Sequence, residues 1–484
     1  MHQSKLIQTL KILNTAELRR FGEYVHSPYF NKHDNTTRLC EVLLEEAPKF
    51  ESPRLERETL YKELFPDGPY KMQRLNDVFT YLYRLLEGFL QQNVHDNRSR
   101  EHALHLAQAF SERKLDKHFE NAYQQAVKDN GLSGVLYEEM LLHHYFAEDL
   151  SDRHFISRDS RTQDKSIERK AHWLDAFYLT AKLRNTCEML NRQNIVKQDY
   201  QIDHLNEVLQ MVTVDDAKQL QFPAIGIYYR IAMTLRDSAN EEHYHKLVAL
   251  LAEHSSIFPE VEVRTMYDYA QNYCIKKINT GKGEYLRELF GLYQILLERG
   301  IILVDQELSQ WDYKNIVTVA TRLGEHAWAE QFLNQYKEKL PIADRENAHT
   351  YNLANLYYSI RQYGKALELL RDVQFTDIYY GLGARSLLLK VYYEAGEYDP
   401  LYSLVDSFSV YLKRNELVSP YQYTAHMNLV RFAKRVADLK LRSFGGNHEA
   451  LKKDIEKLLK RMSMAGDITN ANWLKEQLGV MVIG

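Results

Sequence analysis

Between residues 309 and 412, apolar positions recur at three- and four-residue steps, in paired runs separated by a short turn, and the whole arrangement repeats. One unit reads Ile316, Val317, Ala320, Gly324, Ala329, Leu333 and Pro341. The next reads Leu353, Ala354, Tyr357, Tyr363, Ala366 and Leu370, and a third Leu388, Leu389, Tyr392, Gly396, Tyr398, Leu401 and Val405. Steps of three and four put residues on one helical face, so each unit predicts two amphipathic helices around a turn. Ala329, Ala366 and Leu401 are equivalent positions, 37 and 35 residues apart. A lone helix pair of this length leaves its apolar face in water, so successive units must stack.

The pattern elsewhere is also helical but less regular. Residues 4–30 predict two short helices, the second opened by Asn14 and Glu17 as a capping box and closed before Pro28. A polar loop at 31–34 precedes an amphipathic helix at 38–46, and Pro66-Asp67-Gly68-Pro69 breaks the next one. A long helix at 71–92 follows, with Leu75, Phe79, Leu82, Leu86 and Phe89 on one face. From residue 98 the repeat register begins faintly, through Leu106, Ala107, Phe110, Phe119, Tyr123 and Ala126. Residues 148–170 hold 12 charged side chains in 23 and predict an exposed loop or a solvated helix start. Helix pairs then follow at 201–212 with 217–237, 243–254 with 260–278, and 284–299 with 309–323. After Pro420, helices at 421–443 and 447–464 flank Gly445-Gly446, and a last one at 470–478 caps the end. The expected organisation is an N-terminal helical cluster (1–95), degenerate hairpins (98–300), the clearest repeats (301–415) and C-terminal basic helices with a cap (416–484).

Composition narrows the class. The 484 residues are 45% hydrophobic and 26% charged, with a net charge of −4, so no global attraction to nucleic acid is expected. Only 20 Gly and 10 Pro argue against a chain rich in tight turns. The 34 Tyr predict rings packed within hairpins and hydroxyls in solvent. Cys40, Cys187 and Cys274 lie far apart in sequence, which supports neither a disulfide framework nor a zinc site and fits a reducing compartment. No signal peptide and no run of 18 apolar residues is present, so a cytoplasmic protein without a membrane span is expected.

Catalytic patterns are missing. Gly281-Lys282-Gly283 lacks the upstream glycine and the hydroxyl of a phosphate loop. Gly381-Leu382-Gly383 has no preceding strand and predicts close helix packing. His143-His144 and His243/His245 diverge on a helix; His102 and His105 share a face but lack a carboxylate pattern. No cofactor, no metal and no enzymatic activity are expected.

The period and the helix–turn–helix pattern resemble the tetratricopeptide repeat. The likeness implies an all-α superhelical solenoid of stacked helical hairpins, here with an N-terminal helical cluster. It also implies a concave groove lined by the first helix of each hairpin. Carried over residue by residue, that groove contains Trp311, Lys314, Thr318 and Arg322, then Tyr351, Asn355 and Tyr358, then Ser386, Lys390 and Tyr393. Cations, amides and rings in one row suit a peptide. One subgroup of the family binds C-terminal carboxylates through Lys and Asn. Lys314 and Asn352 fall at two of those positions, but Thr318, Gly383 and Leu387 depart from the pattern, so chaperone-tail binding is not implied.

Two other likenesses concern architecture. Residues 58–90 are similar to the helix–turn–helix stretch of bacterial regulators, which would place Lys71, Gln73, Arg74 and Asn76 on a groove-reading helix. Residues 54–100 carry 8 Lys/Arg against 7 Asp/Glu, which withholds the phosphate attraction such a role needs. The stretches Arg19-Arg20-Phe21, Ser27-Pro28-Tyr29-Phe30-Asn31 and Trp311-Asp312-Tyr313-Lys314-Asn315-Ile316 resemble an uncharacterised bacterial family of long all-helical proteins, which implies no activity.

Charge concentrates at residues 413–461, with 12 Lys/Arg against 5 Asp/Glu, including Arg431, Lys434, Arg435, Lys453, Lys457 and Lys460. The expected function is a non-catalytic interaction scaffold that binds a protein or peptide in the groove. The alternative is a transcriptional regulator or nucleic-acid-associated protein that uses the N-terminal helices or this basic patch. Nucleic acid is not the expected partner.

Overall fold

The computed structural model describes residues 4–96, 99–128, 138–158, 165–196, 199–214, 221–371, 377–443 and 448–483. Among these residues the chain forms 23 α-helices and no strands. They are α1 (Lys5–Leu10), α2 (Thr15–His26), α3 (Asp34–Glu45), α4 (Arg57–Leu64), α5 (Met72–Asp96), α6 (Ser99–Glu112), α7 (Asp116–Val127), α8 (Glu138–Ser157), α9 (Ser166–Val196) and α10 (Leu205–Val214). There follow α11 (Pro223–Arg236), α12 (Glu242–His254), α13 (Glu260–Asn279), α14 (Tyr285–Glu298), α15 (Gln310–Leu323), α16 (His326–Tyr336), α17 (Arg345–Ser359) and α18 (Tyr363–Arg371). The last five are α19 (Ile378–Ala395), α20 (Tyr398–Arg414), α21 (Pro420–Ser443), α22 (His448–Met464) and α23 (Ala471–Ile483). Contacts divide the chain into two compact units, Met1–Lys182 and Leu183–Gly484.

In the first unit, α1–α5 enclose a core that includes Phe21, Leu39, Leu60, Leu82 and Phe89. The Asn14–Glu17 capping box opens α2, with both reciprocal bonds made. The expected polar loop at 31–34 is shorter than predicted, because Asp34 already stands in the first turn of α3, where a carboxylate complements the helix dipole. The charge-rich stretch 148–170 departs most from expectation. Most of it is helix, on α8 and α9, with residues 159–164 outside the described chain. Its charges pair across the two helices. Arg169 Nε donates to both oxygens of the buried Glu148, each at 2.9 Å, and Lys170 Nζ reaches the buried Asp152 at 2.6 Å. Periodicity of apolar residues was absent there because ion pairs take the place of apolar contacts.

In the second unit the helices pack in sequence, each on the next and often on the one after. The clearest repeats are the pairs α15–α16, α17–α18 and α19–α20. Ala329, Ala366 and Leu401 are all fully buried. The turn after the first helix of each pair has one conformation. Gly324 and Gly396 follow α15 and α19 with φ of 80° and 76°, and Arg361 takes the equivalent place after α17 with φ of 60°. The positions repeat at 37 and 35 residues, as the apolar ones do. The left-handed conformation lets backbone N–H groups reach the last carbonyls of the helix, and glycine adopts it without steric cost. Gly445-Gly446 and residues 217–220 lie outside the described chain.

Tyrosine has a second role here. The expectation of solvated hydroxyls fails at several positions, where the ring is packed and the hydroxyl bonds to the following hairpin. Tyr313 reaches His349 at 2.9 Å, Tyr358 reaches Glu394 at 2.5 Å and Tyr402 reaches Asp438 at 2.6 Å, each spanning 36 residues. Tyr228 bonds Glu262, 34 residues on. The same side chain thus packs within one helix pair and ties it to a helix 34 or 36 residues further on.

Two outcomes follow. Arg361→Gly removes left-handed strain of about 1–2 kcal/mol, part of which glycine returns as unfolded-state entropy, so urea denaturation should show a gain of about 0.5–1 kcal/mol. Tyr402→Phe deletes one hydrogen bond to a carboxylate and should cost about 1 kcal/mol in the same measurement.

Candidate functional site

A cavity of about 530 Å³ lies in the second unit, where α15, α17 and α19 present their side chains together. Lys314, Thr318 and Arg322 come from α15, Tyr351, Asn355 and Tyr358 from α17, and Ser386 and Lys390 from α19. These eight residues are ones the repeat register assigned to a groove. Lys314, Thr318 and Arg322 follow one another at four-residue steps, as do Tyr351 and Asn355 and then Ser386 and Lys390, so each helix contributes one stripe.

The register misplaces two residues. Trp311 does not line the cavity: its ring stacks on Tyr380 at 5.7 Å and meets Tyr379 edge-on at 5.4 Å, which leaves it 39% exposed beside the opening. Tyr393 is turned into the core against Trp473, at 5.4 Å, and is only 5% exposed. Its neighbour Glu394 anchors that region, accepting from Tyr358 Oη, Tyr363 Oη and Trp473 Nε1. Asn352, at a carboxylate-binding position of the family, is fully buried and donates to the Ala348 carbonyl at 2.8 Å. It faces the helix stack and not the cavity.

Packing shapes the cavity wall. Gly383 lets α19 approach Tyr351 closely, since a methyl group there would come within 3.0–3.2 Å of that ring. Tyr351 therefore serves as a spacer between helices as well as a lining residue, and its ring also meets Tyr380 edge-on at 5.2 Å. Thr318 ties its hydroxyl to the Lys314 carbonyl at 2.7 Å, which leaves mainly its methyl for contact. Sequence reasoning missed Gln422, His426, Thr469 and Asn470, which line the cavity from α21 and the approach to α23. Those residues stand outside the repeats, so no periodic signal marks them.

The electrostatics centre on two lysines. Lys314 Nζ lies 5.3, 5.6 and 5.9 Å from the ring centres of Tyr351, Tyr380 and Trp311. Lys390 Nζ lies 4.3 Å from the Tyr358 ring. Burial lowers the pKa of both, opposed by Asp377 at Lys314 and by Glu394 and Glu476 at Lys390. Asp377 is already engaged, its Oδ1 accepting from the backbone of Tyr379 and Tyr380 at the start of α19. Among the described residues neither lysine forms an ion pair within 4.0 Å. Each ammonium is held by ring faces, a contact worth about 0.5–2 kcal/mol. Asn355 keeps its amide free of hydrogen bonds to the described residues, in a position to meet a bound backbone.

The basic patch has a different character. Arg431, Lys434 and Arg435 lie on α21, and Lys453, Lys457 and Lys460 on α22. Lys453 pairs with Glu449 at 3.1 Å and Lys457 lies 3.8 Å from Asp454, both on the same helix. Lys434 sits over the Tyr402 ring at 5.9 Å. In the first unit, Arg74 of the stretch resembling a groove-reading helix packs its guanidinium on Phe65 at 4.0 Å, and Gln73 bonds Asp77 at 2.8 Å. The three thiols are free and buried, and burial raises the pKa of each.

Comparison with family models, with curated proteins and with solved structures finds no match to this chain.

For Lys314, a pKa lowered on folding means that the unfolded chain binds protons more readily. The penalty is therefore present at neutral pH and fades as pH rises toward the unfolded value near 10.5. Lys314→Met keeps the stem and removes the charge. It should raise thermal stability at pH 7 by up to about 1 kcal/mol, or roughly 1–2 °C, with a smaller gain at pH 10. Calorimetry at the two pH values checks this.

Proposed function

We propose that this chain is a cytoplasmic, non-catalytic interaction protein whose hairpins stack as a superhelical, tetratricopeptide-like solenoid, and that the cavity between α15, α17 and α19 binds a peptide or helix carrying an acidic group. The observation that carries this reading is the pair Lys314 and Lys390, two half-buried lysines that line a cavity and form no ion pair within 4.0 Å among the described residues. An unpaired buried charge is costly, and a carboxylate from a partner recovers part of that cost as a charge-assisted hydrogen bond. Asn355 would bond the partner's backbone, while Tyr351 and Tyr358 offer ring surface to its apolar side chains. Arg322, exposed at the cavity, adds attraction at longer range.

The reading differs from carboxylate capture in the family subgroup. Asn352 is unavailable, and the second cation comes from Lys390 instead of the third-unit positions held by Gly383 and Leu387. Specificity should therefore rest on an acid flanked by apolar residues.

Panning a random peptide library against the full chain and against Lys314→Met/Lys390→Met tests it. Wild type should enrich peptides with an Asp, a Glu or a terminal carboxylate beside apolar residues. Fluorescence anisotropy should show at least tenfold weaker binding to the double variant, whose circular dichroism is unchanged and whose melting temperature is not lowered. Enrichment of peptides without an acid, or equal affinity for both proteins, would refute the assignment.

A further inference from the structure

A second constellation lies in the first unit, where α5 ends and α6 begins. The last turn of α5 supplies His95 and Asp96, and the first turns of α6 supply His102 and His105. Nδ1 of His95 lies against Nε2 of His102. Asp96 Oδ1 is 3.9 Å from the same Nε2, and one donor atom from each of the three residues lies within 4.8 Å of the others. Two ligand atoms on one tetrahedral ion, at bonds of ~2.0–2.1 Å, sit about 3.3 Å apart, so small rotations bring all three into range.

We propose that His95, Asp96 and His102 form a binding site for a first-row divalent cation, with zinc the class that fits best. Two imidazole nitrogens and one carboxylate oxygen suit zinc and its neighbours, whereas magnesium and calcium prefer all-oxygen shells. A solvent molecule completes the coordination, as three protein ligands leave one position of a tetrahedron open.

The surroundings carry the case beyond proximity. Metal at His95 Nδ1 requires the ring proton on Nε2, and Nε2 lies 3.2 Å from His105 Nδ1, which accepts it. His105 thereby fixes the tautomer of His95, as partners beyond the ligand shell commonly do. The Asp96 carboxylate is oriented likewise: Gln92 Nε2 donates to Oδ1 at 2.7 Å, and Arg20 Nη2 stands 3.7 Å from Oδ2. Arg20 opposes the metal's charge but addresses the other oxygen. Asp96 is exposed, which leaves the ion an approach from solvent. His95 and His102 are half-buried, so the donors are held in place yet reachable.

The sequence showed only His102 and His105 as a pair on one helix face. The carboxylate and the third imidazole come from the preceding helix, and the junction between helices decides that they meet.

Cobalt is the probe. The full chain, stripped with a chelator, is titrated with Co²⁺ and followed by visible absorption. A single equivalent should give the intense d–d bands of a low-coordinate site, and Zn²⁺ should displace it. His95→Ala/His102→Ala should abolish the bands, and Asp96→Asn should weaken binding. His105→Ala should weaken it by about 10- to 100-fold while leaving the stoichiometry unchanged. His118→Ala, on the neighbouring helix, should change nothing. The same bands at the same stoichiometry in a folded double variant, or no bands in wild type, would overturn the proposal.

Discussion

A tyrosine ring packed at the seam between two hairpins excludes water from its own hydroxyl, and a buried hydroxyl needs a partner. At four positions of the second unit that partner comes from further along the chain. Tyr228, Tyr313, Tyr358 and Tyr402 each reach 34 or 36 residues ahead, to Glu262, His349, Glu394 and Asp438. Apolar stripes force the helices to stack, but stripes alone tolerate sliding. A hydrogen bond with one repeat of reach has a single register, so these bonds select the stacking that the apolar faces only favour.

That register is what positions the candidate cavity. There α15, α17 and α19 bring their stripes of lining residues side by side. The turns after these three helices each hold a left-handed residue, Gly324, Arg361 or Gly396. Tyr358 links the two aspects directly. Its ring carries Lys390 at 4.3 Å and its hydroxyl donates to Glu394, so the residue that fixes the stacking also holds a cation over the cavity.

The first unit uses a different means of cohesion. Its α1–α5 core is conventional, yet α8 and α9 are joined through Glu148–Arg169 and Asp152–Lys170, with both carboxylates buried. The cations remain partly exposed, and each offsets the cost of burying a carboxylate without adding much net stability compared with apolar packing. The same unit holds the His95–Asp96–His102 constellation, so polar side chains cluster at its helix junctions as well as across its hairpins.

The sequence by itself determined the helical class and the helix faces, because a period of 3.6 residues is a property of local order. The family likeness, carried over residue by residue, named eight residues that line the cavity. What it misjudged required knowledge of neighbours in space. Residues 148–170 read as an exposed loop or a solvated helix start because their compensating charges are 18 and 21 residues away. Tyr393 read as a groove residue because only the arrival of Trp473, 80 residues later in the chain, turns that face into core. Arg361 hid a turn that glycine announces elsewhere. The tertiary structure decided which lysines lost their water, which acids were already engaged, and that His95 and Asp96 would face His102, since each depends on how two distant faces meet.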